Sequence, residues 1–180
     1  HPIFLSDKLL GGKYKNERGF EIDFLGIKTR RSYTLDQILA MPSVSEEYKD
    51  ALKEEVRLMH NPLIGDESFT YPPLPAFDEE YFDWISTLES VYEARDHYIM
   101  IELGAGYGRW LTRAVGALRI LNPLSFTLIG IEAEPTHYKW MCQNLEDNGI
   151  NPKEQQLICS AVSDGSRFVQ FAAGDPSAWY

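Results

Sequence analysis

Cysteine is nearly absent from this chain, which holds two in 180 residues, Cys142 and Cys159. Two thiols make no disulfide framework. Both fall in apolar patterns, where cysteine reads as a small buried residue, and a reducing, cytoplasmic setting is the default expectation. Cations are scarce too. Seventeen Lys and Arg stand against 27 Asp and Glu, a formal charge of −10. A nucleic-acid partner needs clustered cations to meet its phosphates, so this balance argues against one. No apolar run reaches the roughly 18 residues that cross a bilayer. No secretory leader pattern follows His1. What is present, 44% apolar and 13% aromatic residues, is the composition of a globular protein, and the length allows one domain with a small appendage.

The first third of the chain is mixed. Phe20 to Phe24 alternates apolar and acidic residues, the period of a half-buried strand. Gly26 breaks it, and Ile27 to Tyr33 reads as the return arm of a hairpin whose Arg30 and Arg31 are solvated. Thr34-Leu35-Asp36-Gln37 fits a capping box, and Pro42 ends that helix. Ser43-Val44-Ser45-Glu46 opens a second helix with a stripe of Tyr48, Leu52, Val56 and Met59, stopped by Asn61-Pro62, with His60 in its last turn. Tyr71-Pro72-Pro73-Leu74-Pro75 is an extended linker. It divides an N-terminal α+β extension, residues 1–75, from a nucleotide-binding unit, residues 76–180. Asp78 to Glu93 reads as an amphipathic helix through Tyr81, Phe82, Ile85, Leu88 and Tyr92.

The second unit is organised around Ile99-Met100-Ile101-Glu102-Leu103-Gly104-Ala105-Gly106-Tyr107-Gly108-Arg109-Trp110. An apolar strand, His97 to Leu103, reads as covered on both faces. Three alternate glycines follow, then a helix with a core face of Trp110, Leu111, Ala114, Val115 and Leu118 that stops at Asn122-Pro123. Glycine suits a backbone that takes positive φ or approaches a ligand closely. A helix start adds free N–H groups and partial positive charge. The dinucleotide fingerprint G-x-G-x-x-G is not met, because Arg109 stands at its third glycine position, and no Lys-Ser/Thr follows as in a P-loop. Glu102 would repel a pyrophosphate and would suit a ligand carrying an ammonium group.

A second strand, Phe126 to Glu132, ends 24 residues after Gly108, near the roughly 20 expected before a ribose-binding acid. A carboxylate there can accept hydrogen bonds from both ribose hydroxyls. Glu134 competes for the role. Thr136 can cap the next helix, whose stripe is Tyr138, Met141, Cys142 and Leu145, and Asn148-Gly149 suits a left-handed stop. Gln156 to Val162 reads as a third strand, Ser163-Asp164-Gly165 as a turn, Phe168 to Phe171 as a short fourth strand and Gly174-Asp175-Pro176 as another turn. His97 and His137 read as structural, His137 as a surface residue at a helix start.

The Glu102-x-Gly104-x-Gly106-x-Gly108 run resembles motif I of the class I S-adenosylmethionine-dependent methyltransferases. The segment Glu132-Ala133-Glu134-Pro135-Thr136-His137-Tyr138, with Gln143-Asn144-Leu145, Asn148-Gly149 and Ala161-Val162-Ser163-Asp164, resembles the FkbM-type members, which methylate mainly hydroxyl oxygens of sugars and natural products. The resemblance covers Tyr98 to Tyr180. It implies a Rossmann-like, doubly wound α/β sheet of seven strands in the order 3-2-1-4-5-7-6, S-adenosylmethionine as cofactor and a small-molecule methyl acceptor. It implies that Gly104, Ala105, Gly106 and Gly108 line the methionine and ribose side. Glu102 would orient the amino group, Glu132 bind the ribose, and Ala161 and Val162 touch the adenine. No metal is implied, and the catalytic residue is not identified.

Only 16 residues follow Asp164, and one parallel crossover takes a dozen or more. The sheet is therefore expected to be C-terminally incomplete here, with the chain part of a longer protein, inactive as a fragment, or with a homo-oligomer covering the open edge. Two other readings use the same strand–turn–helix: a nicotinamide-dependent oxidoreductase, and a non-catalytic binding module with a methyltransferase-like half-fold.

Overall fold

A computed structural model describes residues 1–33, 44–59, 68–165 and the isolated positions 39 and 170. The expected capping box at 34–37, the stops at Pro42 and Asn61-Pro62, His60, the side chains of Val56 and Met59, most of the 168–171 segment and the 174–176 turn lie outside the described residues. The elements in order are β1 (Tyr14–Lys15), β2 (Phe20–Ile22), β3 (Lys28–Arg30), α1 (Glu46–Met59), β4 (Phe69–Thr70), α2 (Tyr81–Glu93), β5 (His97–Leu103), α3 (Arg109–Leu121), β6 (Ser125–Glu132), α4 (Pro135–Asp147) and β7 (Gln156–Cys159).

Among the described residues the architecture is mixed α/β, a parallel three-stranded sheet packed against helices. β5, β6 and β7 lie side by side in that order, with Tyr98 opposite Phe126 and Glu132 opposite Cys159. Parallel neighbours need crossovers, which α3 and α4 provide. Because strand order follows chain order, both right-handed crossovers lay their helices on one face. Leu111 and Val115 of α3 and Met141 and Leu145 of α4 bury that face with Leu128, against Met100, Phe126 and Leu157.

The opposite face is bare, which corrects the expectation that β5 is covered on both sides. Ile99, Ile101 and Leu103 are 60%, 58% and 59% exposed, and β5 pairs only with β6 among the described strands. β7 is shorter than expected and ends at Cys159, so Ala161 and Val162 follow it in irregular backbone. Neither cysteine is buried: Cys142 is half-buried and Cys159 exposed.

A second core joins the N-terminal segment to α2 and α3. Phe4, Leu9, Phe24, Leu25 and Ile27 pack with Trp84, Leu88, Val91, Ala114 and Leu118. The apolar face of α2 is rotated from the expected one. Trp84, Leu88 and Val91 are buried, while Phe82 and Tyr92 point to solvent. The β2–β3 hairpin is antiparallel with Phe20 opposite Arg30, as the alternation implied. Arg30 is not merely solvated. Its Nε and Nη2 donate to Asp147 Oδ2 and Oδ1 at 2.6 and 2.8 Å, a bidentate pair onto the end of α4. Next to it, Asn148 accepts from the backbone N–H of Lys28 and donates to its carbonyl, both at 2.8 Å. Gly149, with φ +68°, then ends α4 in the left-handed stop its position implied.

Candidate functional site

The site begins where β5 stops. Gly104 has φ +67°, and a Cβ there would meet nothing within 4 Å. Gly108 is the N-cap of α3 with φ +69°, and a Cβ there would lie 2.9 Å from Met141 Cγ and 3.3 Å from Leu145 Cδ1. Both positions favour glycine by conformation. Only Gly108 is also held by packing, while Gly104 opens onto free space. The turn is pinned at its middle, where Ala105 N–H donates to Ile131 O at 3.0 Å and Gly108 N–H to Ala105 O at 2.7 Å.

Gly108 has no side chain to cap α3, and Glu102 does that work from the strand. Its carboxylate accepts from Leu111 N–H at 3.1 Å and Trp110 N–H at 3.4 Å. Free amides at a helix start take such acceptors readily. Burial pushes the Glu102 carboxyl up to about 7, against the pull of these two amides and of Arg113. A desolvated carboxylate of this kind gains from a cation brought alongside it.

The two acids after β6 separate cleanly. Glu132 is buried, its Oε2 accepting from Gly106 N–H at 2.7 Å and its Oε1 from Glu134 N–H at 2.8 Å. Glu134 is the N-cap of α4, accepting from His137 N–H at 2.7 Å, with Pro135 at the first helical position. The cap is therefore Glu134 and not Thr136, which lies inside the helix. His137 is buried, 2% exposed, and stacks near Trp140, contrary to the surface position expected of it. His97 bridges Ser125 and Thr127 across the β5–β6 pair, a structural role.

Glu102, Gly104, Ala105, Tyr107, Arg109 and Trp110 line a cleft of about 280 Å³. Cavities of about 600 and 510 Å³ lie elsewhere, at the N-terminal turn against α2 and beside β1 and the hairpin, away from the glycines. Of the residues expected to form the site, Glu102, Gly104 and Ala105 line the cleft. Gly106 and Gly108 shape it through the backbone, and Glu132 meets the turn at Gly106. Ala161 and Val162 are not in its lining; Val162 is 54% exposed beyond the end of β7.

Four charged residues around the cleft were missed by sequence reasoning. Arg109 Nε donates to Tyr107 Oη at 2.6 Å, and its Nη1 pairs with Glu80. Arg113 Nη1 donates to Glu80 Oε2 at 3.0 Å and its Nε lies 3.8 Å from Asp23. Its guanidinium sits between two indoles, 4.1 Å from the Trp84 ring and 4.6 Å from Trp110, favourable cation–π placements. Burial and the charge of Arg113 lower Arg109 to about 10, which leaves it cationic at neutral pH, and burial raises Asp23 to about 6. Tyr107 is fixed by stacking on Tyr33, which stacks on Trp140, with centroids 5.2 and 5.1 Å apart. The departure of Arg109 from the third-glycine position was the one available signal; the rest follow no local pattern.

Comparison with known proteins gives one informative likeness. A curated protein of Jannaschia sp. (strain CCS1), described as "Putative methyltransferase", is 33% identical over 92 residues. The match covers 51% of this chain and 33% of that relative, so the chain spans about a third of the relative's length. No family model matches, and no solved structure does. The likeness is distant, extends over half the chain and indicates no substrate. Among the described residues, no helix is long and apolar enough to cross a membrane, and no group of His, Cys, Asp and Glu is arranged to hold a metal ion.

Proposed function

We propose that the turn at Gly104–Gly108 and the ends of β5 and β6 hold S-adenosylmethionine, in the first half of a Rossmann-like, FkbM-type class I methyltransferase domain. The whole protein would transfer the methyl group to a hydroxyl oxygen of a small molecule or sugar. The observation that carries this reading is the hydrogen bond from Gly106 N–H to Glu132 Oε2, 2.7 Å, which brings the strand-end acid against the glycine turn.

The residues present suit that ligand. The open space over Gly104 admits close approach of a ligand to the backbone. A carboxylate and a guanidinium, Glu102 and Arg109, face one cleft, as an amino-acid end with both charges requires. The cleft is small beside the roughly 300–1,000 Å³ of whole-ligand pockets. It takes that end alone, with the nucleoside lying across the ends of β6 and β7 towards Ala161 and Val162. Each Glu132 oxygen accepts one backbone hydrogen bond, and a carboxylate has about four acceptor positions, so each retains one for a ribose hydroxyl. In a doubly wound sheet helices cover both faces; the bare face at Ile99, Ile101 and Leu103 is where the second layer of such a domain would lie.

Bound S-adenosylmethionine supplies a methyl group already activated on a sulfonium. The chain's task is to align the acceptor with that methyl and to keep water away, a contribution of proximity and orientation. Arg109 in place of a third glycine and Glu102 in the cleft weigh against a nicotinamide dinucleotide. Thermal-shift titration tests the choice. S-adenosylhomocysteine should raise the unfolding midpoint and NAD should not; stabilisation by NAD alone would overturn the reading.

A further inference from the structure

The charged cluster at the mouth of the cleft holds more than the proposed cofactor reading uses. Arg109 and Arg113 both bind Glu80, so two guanidiniums share one carboxylate. Asp23 approaches only Arg113, at 3.8 Å. Arg113 is enclosed between Trp84 and Trp110 and does not line the cleft, while Arg109 does. Glu80 precedes the first turn of α2 and is itself half-exposed. A guanidinium has five N–H donors in a planar fork, and the contacts of Arg109 with Tyr107 and Glu80 engage its Nε and Nη1.

Taking S-adenosylmethionine as the ligand, we propose that Arg109 receives the ligand's carboxylate and that Glu80 is the internal anion it exchanges for that carboxylate. The exchange costs little charge balance. Glu80 keeps Arg113 as its partner, and Arg109 replaces one carboxylate with another. Tyr107 makes this possible by fixing the guanidinium from behind. Its hydroxyl accepts from Nε and its ring lies 5.2 Å from the guanidinium carbon, with the ring held in turn by Tyr33. Glu102, across the same cleft, lies on the side the ammonium group would take. Arg109 is thus the residue that distinguishes a ligand with an intact amino-acid end from a bare nucleoside.

The test compares two ligands by calorimetry, S-adenosylhomocysteine and 5′-methylthioadenosine, which lacks the amino-acid end. Arg109→Gln should weaken S-adenosylhomocysteine about tenfold or more, the scale of a lost charge-assisted hydrogen-bonded pair, and change 5′-methylthioadenosine less than about twofold. Glu80→Gln, which keeps the shape and removes the competing charge, should tighten S-adenosylhomocysteine by about threefold or more and leave the nucleoside unchanged. Equal losses for both ligands in R109Q, or no gain in E80Q, would overturn the exchange while leaving the cofactor reading standing. Failure of the unaltered protein to bind either ligand would overturn the cofactor reading, and the exchange with it.

Discussion

The carboxylate of Glu132, the last residue of β6, accepts a hydrogen bond from the backbone N–H of Gly106, 26 residues earlier, at 2.7 Å. One side chain thereby joins the end of the second strand to the middle of the turn after the first. Its other oxygen takes Glu134 N–H, the residue that caps α4. The acid orders the turn before any ligand arrives, so affinity and stability are coupled through it.

Glu132→Gln separates a carboxylate from its near-isostere. The amide has one acceptor oxygen and sets an NH2 group against either Gly106 N–H or Glu134 N–H, leaving a buried donor without a partner. The expected loss is about 1–3 kcal/mol in urea unfolding, accompanied by weaker S-adenosylhomocysteine binding. A variant as stable as the parent would show that the two backbone contacts carry no weight.

Glu102 gives a pH signature. Its carboxyl titrates at about 7 in the folded protein against an ordinary 4.5. Between those values the folded chain holds a proton that the unfolded chain has released. Stability from this group therefore falls as pH rises through the window, and the penalty is complete above about 7. Glu102→Gln keeps an oxygen for Leu111 N–H and removes the ionisation. Its unfolding midpoint should exceed the parent's at pH 8, by the equivalent of about 1–3 kcal/mol, with the gap closing towards pH 4.5. Asp23 titrates near 6 and acts in the same direction, but it is common to both proteins and cancels in the difference. An ammonium-bearing ligand should in addition expel this proton, read near pH 6.5 as a binding heat that depends on the ionisation enthalpy of the buffer.

The N-terminal hairpin is tied to α4 by Asn148, which pairs with both backbone groups of Lys28 at 2.8 Å. Asn148→Ala strands these groups and Asn144 O, which Asn148 also serves at 2.9 Å. About 1–3 kcal/mol of stability should be lost. Amide exchange should rise at Lys28, whose N–H loses its acceptor, ahead of the β5–β6 pair. Uniform exchange across the chain would contradict a local tie.

These contacts explain which parts of the molecule were legible in the sequence. β5 and β6 were readable because seven or eight apolar residues in a row, bounded by glycine or proline, leave few alternatives. The stop of α4 at Asn148-Gly149 was readable because left-handed backbone has few tenants. The core face of α2 was not, since Trp84 and Val91 compete with Phe82 and Tyr92 for burial and only the position of Phe24 and Leu118 decides. Arg30 looked solvated because its partner, Asp147, lies 117 residues away. The pairing of Glu80 with Arg109 and Arg113 is equally non-local. At the site, the glycine spacing revealed the turn, but the burial of His137 and the capping by Glu134 depended on Pro135 starting the helix one residue before Thr136.

Gly104 and Gly108 offer the sharpest contrast between folding and binding. Their φ values, +67° and +69°, are nearly the same, so alanine at either site carries a similar backbone cost of about 1–2 kcal/mol. Their surroundings differ. At 108 the added methyl would press on Met141 at 2.9 Å and Leu145 at 3.3 Å, within the α3–α4 packing, and overpacking of this kind adds about 1–3 kcal/mol. At 104 it projects into open space. Gly108→Ala should therefore be the less stable of the two in chemical unfolding. Gly104→Ala should unfold only slightly early yet lose more affinity for S-adenosylhomocysteine than its stability change explains, because its methyl occupies the ground the ligand needs. If Gly104→Ala binds as the parent does, the space above that residue is not where the ligand lies, and the assignment of the cleft fails with it.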